Sequence, residues 1–327
     1  SYATGTCTHH SDLDLTLKGD IKHITISALV EALRHFGHES ITVMAANNST
    51  QHAGTFLSLE PIPSSIITFL DPRTETTCYM TLNEPLAIYR SKLIRTYALI
   101  DPRFDVVMVA LKHLATKRKL VSGSMHRDRN GLVPLGSYAL ALMLITFLQT
   151  ENPPILPKLQ QQQHHQQQTA ESLKKENDVY DGDHRPIKET MVQGINCSFD
   201  HDWKFYQKFG IKNPKSAAEL LMEFCRFFGY VFDYESKEVN ARVALPSRVT
   251  GTATATASTL PCSQSNVDSI SSTTNNSNTF AFHVMDPFVV GFNVTFACRG
   301  ELVRTVKKCF QETYGALVDG DINLAFS

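Results

Sequence analysis

Strict alternation of apolar and polar residues marks residues 11–17, which read Ser-Asp-Leu-Asp-Leu-Thr-Leu. The three leucines fall on one side of this pattern, and a period of two is typical of a half-buried β-strand. Asp12 and Asp14 therefore project from the opposite face, roughly 6.6 Å apart along the strand. That spacing allows two carboxylates to share a hard divalent cation such as Mg²⁺ or Mn²⁺, the ions that handle phosphates.

A pair of acids two residues apart also occurs on the solvated outer face of an edge strand, and these residues alone leave that interpretation open. A loop rich in Ser, Thr and Gly precedes the strand at residues 1–8. Its hydroxyl and N–H groups are suited to hold phosphate oxygens. The opening of the chain thus predicts either a metal and phosphate site or an exposed acidic strand.

The 327 residues include 42% hydrophobic and 19% charged side chains, which is typical of a soluble globular protein long enough for two domains. A net charge of −1 and an isoelectric point near 6.9 give no global attraction to nucleic acid or to a membrane. Contacts with RNA must therefore depend on local basic groups. One such run predicts either contacts with phosphates or a solvated helix face. It contains Lys112, Lys117, Arg118, Lys119, Arg127 and Arg129.

Seven cysteines are scattered along the chain without a Cys-x-x-Cys pair. An odd, scattered set indicates reduced thiols inside the cell and argues against a disulfide framework or a structural zinc site. We expect the cytoplasm or nucleus, and the mitochondrion stays open. The longest apolar run, residues 138–148, is too short for a membrane span and indicates a core helix. Because the chain lacks an initiator Met, we expect a fragment.

Hydrophobic spacing predicts one helix at residues 21–36 and a set of short strands around it, which together indicate an α+β sheet domain. The predicted strands are residues 40–46, 54–59, 65–70 and 76–82. From residue 83 onward the spacing becomes helical. The predicted helices are residues 93–100, 104–119, 137–149 and 216–228. The last of these begins with a capping box, Ser216 and Glu219, and is expected to end at Gly229.

Two segments differ from the rest in composition. Residues 152–188 contain four prolines and a run of Gln and His, and residues 246–279 are rich in Ser, Thr and Asn. Segments with so few apolar residues cannot bury enough surface to order themselves. We therefore predict two disordered insertions, which are also the expected sites of any protein partners.

The opening loop and the Asp-x-Asp strand resemble the Gly-Ser loop and strand of DNA polymerase β-like nucleotidyltransferases. Further matches occur in the order found in terminal RNA nucleotidyltransferases, the poly(A) and poly(U) polymerases that carry a PAP-associated domain. They are Pro85-Leu-Ala, Arg95-Thr-Tyr-Ala-Leu-Ile-Asp-Pro-Arg, Leu111-Lys-His-Leu-Ala, Gly136-Ser-Tyr-Ala-Leu, residues 213–234, and Asp286-Pro-Phe with Asn293. The resemblance covers nearly the whole chain apart from the two insertions. It implies a nucleotidyltransferase palm in residues 1–91 and a helical PAP-associated domain in residues 92–327, with a nucleotide cleft between them.

In such a family the 3′-hydroxyl of an RNA attacks the α-phosphate of a nucleoside triphosphate between two metal ions held by three carboxylates. The resemblance implies that Asp12 and Asp14 are catalytic metal ligands for Mg²⁺ or Mn²⁺. The third carboxylate position is Tyr79, a phenol that is neutral at pH 7 and a poor ligand for a hard ion. An ion worth about 4 kcal/mol in the transition state would, if lost, slow the reaction roughly a thousandfold.

The resemblance also implies a set of nucleotide contacts. They are Ser1, Asn83, Lys112, Ser137, Tyr138 and Asp286. Four positions depart from the family pattern at separate contacts with the same substrate. They are Arg90 at the ribose contact, Thr116 at the second triphosphate lysine, Phe292 where uridylyltransferases have a His, and Phe296 in place of an Arg.

Two functions compete on this evidence. The first is an RNA 3′-terminal nucleotidyltransferase that acts on an RNA 3′ end and prefers ATP, because Phe292 cannot read uracil as a His would. Tyr79 makes the expected activity weak. The second is a catalytically degenerate relative that binds RNA or nucleotide, or serves as a scaffold.

Overall fold

The first part of the molecule is a four-stranded mixed sheet with one helix. The computed structural model describes residues 2–8, 11–19, 25–38, 40–45, 65–120, 135–160, 190–243, 245, 282–296, 298 and 300–327. The elements of this part are β1 (Leu13–Leu17), α1 (Ile26–His35), β2 (Ile41–Ala45), β3 (Ser65–Asp71) and β4 (Thr76–Leu82). The strand order is β1-β4-β3-β2, and β1 runs parallel to β4. The predicted strand at residues 54–59 lies outside the described residues.

The alternating pattern at residues 11–17 forms the predicted strand, and its apolar side faces a small core. Leu13 and Leu15 pack with Ile67, Phe69 and Cys78. Apolar side chains of α1 contact the same cluster, so this face of the sheet is covered by the helix. Because side chains alternate along a strand, the acids of β1 face the other way, toward the helical part of the molecule.

Helices form most of the rest of the described chain. They are α2 (Pro85–Ile100), α3 (Pro102–Lys117), α4 (Ser137–Thr150), α5 (Ala217–Arg226), α6 (Glu301–Val318) and α7 (Ile322–Ala325). Two short ladders accompany them, β5 (Met191–Val192) with β6 (Ile195–Asn196) and β7 (Val239–Asn240) with β8 (Val284–Met285). Helix α4 lies in the centre, and every side chain from residue 139 to residue 149 is buried. No helix in the described ranges is long and apolar enough to cross a membrane.

The α+β fold class is confirmed, and two boundaries differ from the sequence prediction. Helix α2 begins at Pro85, eight residues before the predicted start, with proline in its first turn where a missing N–H costs nothing. The domain boundary predicted at residue 91 therefore falls inside one continuous helix that joins the two parts.

The predicted capping box of α5 is present, with Ser216 and Glu219 bonded reciprocally. The predicted end of this helix at Gly229 is wrong, because the chain continues through a wider turn, Phe227–Val231, closed by a 2.8 Å bond from Phe232 N to Phe227 O. A Cβ at Gly229 would lie 3.1 Å from the backbone nitrogen of Gln311 in α6. Glycine is needed here for close helix packing rather than as a terminator.

The first predicted insertion starts later than its composition indicates. Residues 152–160 are described, and Ile155, Leu156 and Leu159 are buried in the helical core. The side chain of Gln160 donates a 2.7 Å hydrogen bond to the carbonyl of Pro287. Three well-spaced apolar residues are enough to anchor a short segment, although their average over a long polar window is low. The remaining residues of both predicted insertions, 161–188 and 246–279, lie outside the described chain.

A buried arginine ties the start of α3 to the segment before α5. Arg103 binds the Asp101 carboxylate through two bonds, Nε to Oδ1 at 2.9 Å and Nη2 to Oδ2 at 2.7 Å. The same guanidinium donates to the carbonyls of Gly210, Asn213 and Lys215 at 2.8–2.9 Å. One planar group with five donors therefore fixes three parts of the chain.

We expect Arg103→Met to lower the free energy of unfolding by about 3–5 kcal/mol, because it leaves a half-buried carboxylate and three carbonyls without their donor. Arg226→Met is the matched control, since it breaks a more exposed pair with Glu223 and should cost about 1 kcal/mol or less. Both values can be measured by urea denaturation. Equal losses would contradict the role given to Arg103.

Candidate active site

The two acids of the first strand lie beside Tyr79 in the sheet. In the parallel pairing of β1 with β4, Asp14 is the direct partner of Tyr79. Residues paired in this way point to the same face, and Asp12, two residues before Asp14, shares it. On its other side Tyr79 pairs with Thr68 of β3. The sheet thus brings Asp12, Asp14 and Tyr79 together, in the arrangement that the family resemblance implies for three carboxylates.

Each of these groups is perturbed in the same direction. Burial raises the pKa of Asp12, and the nearby charge of Asp14 raises it further. Desolvation also raises the pKa of Asp14, although the ammonium of Lys112 opposes that rise. The pKa of the Tyr79 phenol is raised by burial and by both carboxylates, which keeps it neutral at pH 7. The buried hydroxyl of Thr68 has no hydrogen-bond partner among the described residues.

This set of donors suits one divalent ion better than two. Asp12 and Asp14 offer carboxylate oxygens of the kind that Mg²⁺ or Mn²⁺ prefers, and a triphosphate can complete the coordination. The neutral phenol of Tyr79 is a poor third ligand. Within the described ranges no three His, Cys, Asp or Glu side chains come close enough to hold a metal ion. The residues therefore fit an ion shared with phosphate oxygens and do not fit a second one.

Two helices hold the loop at residues 2–8 against this face. Lys112 of α3 donates a 2.7 Å bond from Nζ to the carbonyl of Thr6, and Arg95 of α2 donates a 3.5 Å bond to that of Thr4. The hydroxyls of Thr4 and Thr6 lie 2.8 Å apart and bond to each other. Gly5, between them, has φ +78°, which favours glycine. Ser1, predicted to contact the nucleotide, lies outside the described residues.

Lys112 is the cation nearest to the acid pair in electrostatic terms. Its side chain is buried, which lowers its pKa, while the charge of Asp14 counteracts the shift. The second lysine position of the family pattern, Thr116, returns its hydroxyl to the carbonyl of Lys112 at 2.8 Å. Of the predicted basic run, Arg118 pairs with Glu312 at 3.3 Å and Lys117 is exposed. Arg127 and Arg129 lie outside the described residues.

A second cluster surrounds Asp286. This carboxylate accepts bonds from Arg90 Nε at 2.7 Å and from the Tyr138 hydroxyl at 3.2 Å. Tyr138 is the second residue of α4, and the guanidinium of Arg90 lies 5.5 Å from the centre of its ring. Burial raises the pKa of Tyr138 well above its usual value, and the Asp286 charge adds to the effect. The structure therefore joins two predicted nucleotide contacts through one of the departing residues.

Two other predicted contacts are placed differently. Ser137 is the exposed first residue of α4, so the free N–H groups of this helix start point to solvent beside it. Asn83 lies at the far end of β4 and bonds the backbone of Gly19 through both amide atoms, at 3.2 and 3.3 Å. A surface cavity of about 160 Å³ opens at this end, between Asn83, Pro85 and Gln193. The structure does not bring Asn83 next to the acid pair, and its contact with a nucleotide stays a prediction.

Comparison with known proteins agrees with this architecture. Residues 1–99 match the family model of the central palm domain of mitochondrial-like poly(A) RNA polymerase. Poly(A) RNA polymerase cid13 of Schizosaccharomyces pombe is 34% identical over 170 residues, 52% of this chain. Human terminal uridylyltransferase 7 is 26% identical over 198 residues, 59% of this chain. The chain belongs to the terminal RNA nucleotidyltransferase family.

The fold extends the likeness beyond the palm of this nucleotidyltransferase. A crystal structure of Cid1 poly(U) polymerase with Mg and 3′-dATP matches 97% of this chain and 79% of its own, with a TM-score of 0.65 and 18% identity. At that identity the likeness establishes the fold. The chain spans 25% of the length of cid13 and 11% of terminal uridylyltransferase 7.

Sequence reasoning missed part of how this nucleotidyltransferase builds its site. Arg95 was noted within a family motif, and its role in holding the loop at Thr4 carries no local signal. Arg90 was recognised as a departure, but its bond to Asp286 joins residues 196 positions apart. Thr68 is one of several threonines in alternating strands, and nothing in the sequence distinguishes it.

We expect Gly5→Ala to lower the free energy of unfolding by about 2 kcal/mol, because an alanine at φ +78° is strained and its Cβ would lie 2.2 Å from Arg95 Nη1. Gly37→Ala is the control, since Gly37 has φ +86° with nothing within 4 Å of the added carbon. It should cost about 1 kcal/mol. If thermal unfolding shows the same loss for both, the Arg95 contact does not constrain the loop.

Proposed function

We propose that this protein is an RNA 3′-terminal nucleotidyltransferase that transfers a nucleotide, preferably from ATP, to an RNA 3′-hydroxyl. The observation that carries the proposal is the placement of Asp12 and Asp14 on one sheet face, with the buried Lys112 ammonium near Asp14. Two carboxylates and one cation at the same place form a site for a divalent ion and a triphosphate. A divalent ion held there would neutralise phosphate charge as the α-phosphate is attacked.

The remaining groups divide the work of holding the nucleotide. Lys112 is close enough to the acid pair to bind triphosphate oxygens, and the exposed start of α4 at Ser137 favours an anion. Tyr138, in the next position, offers an aromatic ring on which a base can stack. These contacts orient the nucleotide for in-line attack, which supplies much of the acceleration in nucleotidyl transfer.

Comparison with relatives supports the class of substrate. Cid13 is a poly(A) RNA polymerase, and Cid1 poly(U) polymerase has been solved with Mg and 3′-dATP. The preference for ATP is inferred from Phe292, which follows Asp286 by six residues and offers uracil no hydrogen bond. Its carbonyl accepts a 2.8 Å bond from Asp286 N, so it lies beside the residue expected to face the base.

A catalytically degenerate relative is the second candidate. Tyr79 occupies the third ligand position directly beside Asp14, and Arg90 is bound to Asp286. Both features favour a protein that binds RNA or nucleotide, or acts as a scaffold, with weak transfer. We place either function inside the cell, in the cytoplasm, nucleus or mitochondrion. Protein partners for the segments at residues 161–188 and 246–279 are part of the same proposal.

We expect weak extension of a labelled oligo(A) RNA by the wild-type protein with Mg²⁺ or Mn²⁺, and faster extension by Tyr79→Asp. The added carboxylate would complete the ligand set beside Asp14, an effect of up to about a thousandfold if it is worth about 4 kcal/mol. Rates should be measured with each nucleoside triphosphate separately. ATP should be used in preference to UTP.

Tyr79→Phe is the matched control, because it removes only the hydroxyl and should leave the rate unchanged if that group is not a ligand. Asp14→Asn should abolish any extension. Efficient extension by the wild type would rule out the degenerate alternative and show that another group completes the site. Silence from both the wild type and Tyr79→Asp would contradict the proposed transferase.

We expect Lys112→Met to weaken the binding of Mg²⁺-ATP by about tenfold, since it removes a charge-assisted contact with the triphosphate. Lys117→Met, five residues along α3 and exposed, should leave affinity unchanged. Isothermal titration calorimetry measures both, and melting temperatures report whether the loss of the Thr6 bond unfolds the loop. Equal affinities for the two variants would place the triphosphate elsewhere.

A further inference from the structure

The carboxylate of Asp286 is saturated with hydrogen bonds. Its Oδ1 accepts the backbone N–H groups of Phe288 and Val289 at 2.8 and 2.9 Å. Its Oδ2 accepts Arg90 Nε at 2.7 Å and the Tyr138 hydroxyl at 3.2 Å. An ionised carboxylate has about four acceptor sites. With its side chain fully buried, Asp286 has no acceptor left to offer to a nucleobase in this arrangement.

Arg90 reaches this carboxylate from the other side of the cleft. It lies on α2, the helix that leads out of the palm, and its side chain is 23% exposed. Its guanidinium carbon lies 5.5 Å from the centre of the Tyr138 ring, within the range of a cation–π contact. One planar, donor-rich side chain therefore occupies both groups expected to receive the base, the acceptor oxygen and the aromatic ring.

We propose, on the basis of the nucleotidyl transfer proposed above, that Arg90 controls entry of the nucleobase. Its guanidinium takes the place of the base between Asp286 and Tyr138, and a bound nucleotide must displace it. Arg90 thus determines how much the base contributes to affinity. The triphosphate, held near Asp14 and Lys112, binds independently of it.

The physical basis is competition for the same acceptor. A hydrogen bond from guanidinium to carboxylate is charge-assisted and stronger than one from a neutral base N–H. The base must replace that bond and the cation–π contact before it gains its own stacking. Removing the arginine removes this cost for a nucleotide with a base, while a triphosphate without a base gains nothing. The two ligands therefore separate the roles of Arg90.

The test compares Mg²⁺-ATP with Mg²⁺-tripolyphosphate by titration calorimetry on the full chain. We expect Arg90→Ala to bind ATP about tenfold more tightly than the wild type, and tripolyphosphate with unchanged affinity. Lys92→Ala is the matched control, because Lys92 is on the same helix with its ammonium 5.1 Å from the ring of Tyr89. It should change neither affinity.

Arg90→Lys provides a second variant for the case that Arg90→Ala does not fold, which its melting temperature would show. A compact ammonium can keep one bond to Asp286 but cannot lie flat over the ring, so ATP affinity should rise by a smaller factor. Unchanged or weaker ATP binding in the folded variant overturns the inference, as does a parallel loss of tripolyphosphate affinity. If wild type and variants bind neither ligand, the proposed nucleotide site fails and the role of Arg90 with it.

Discussion

The parallel pairing of β1 with β4 is the constraint on which the chemistry of the site depends. It sets Asp14 beside Tyr79, and the alternation of side chains then places Asp12 on the same face and the leucines on the other. A shift of one residue in this register would turn the acids into the core with α1 and the leucines into the cleft. The apolar contacts of Leu13 and Leu15 therefore protect the metal-binding geometry, although neither residue touches the site.

Two cations approach the cleft from adjacent helices and have different consequences. Lys112 of α3 is bonded to a backbone carbonyl, which is a neutral acceptor, so its charge still acts on the acid pair. Arg90 of α2 is bonded to the carboxylate of Asp286, which neutralises its charge locally. The phosphate end of the cleft therefore carries net attraction for an anion, whereas the base end is internally paired.

Local signals in the sequence predicted the local features of the fold. The alternation at residues 11–17 and the capping box at Ser216 each depend on a few neighbouring residues, and both are present in the structure. The partnership of Asp14 with Tyr79 joins residues 65 positions apart and was available only through family resemblance. Arg90 and Asp286 gave no such signal, since nothing in either neighbourhood indicates the other. Residues 152–160 were misjudged because three anchoring side chains were averaged with a polar run.

The loop at residues 2–8 is held by Arg95 and Lys112 from two separate helices. A surface loop usually exchanges its amide hydrogens within small local fluctuations, independently of the core. Here the anchoring side chains belong to α2 and α3, whose inner faces are part of the main core. Opening the loop requires either the release of a buried ammonium or movement of a core helix. In kinetic terms the loop therefore belongs to the helical core, and the phosphate-facing backbone is as long-lived as the helices that support it.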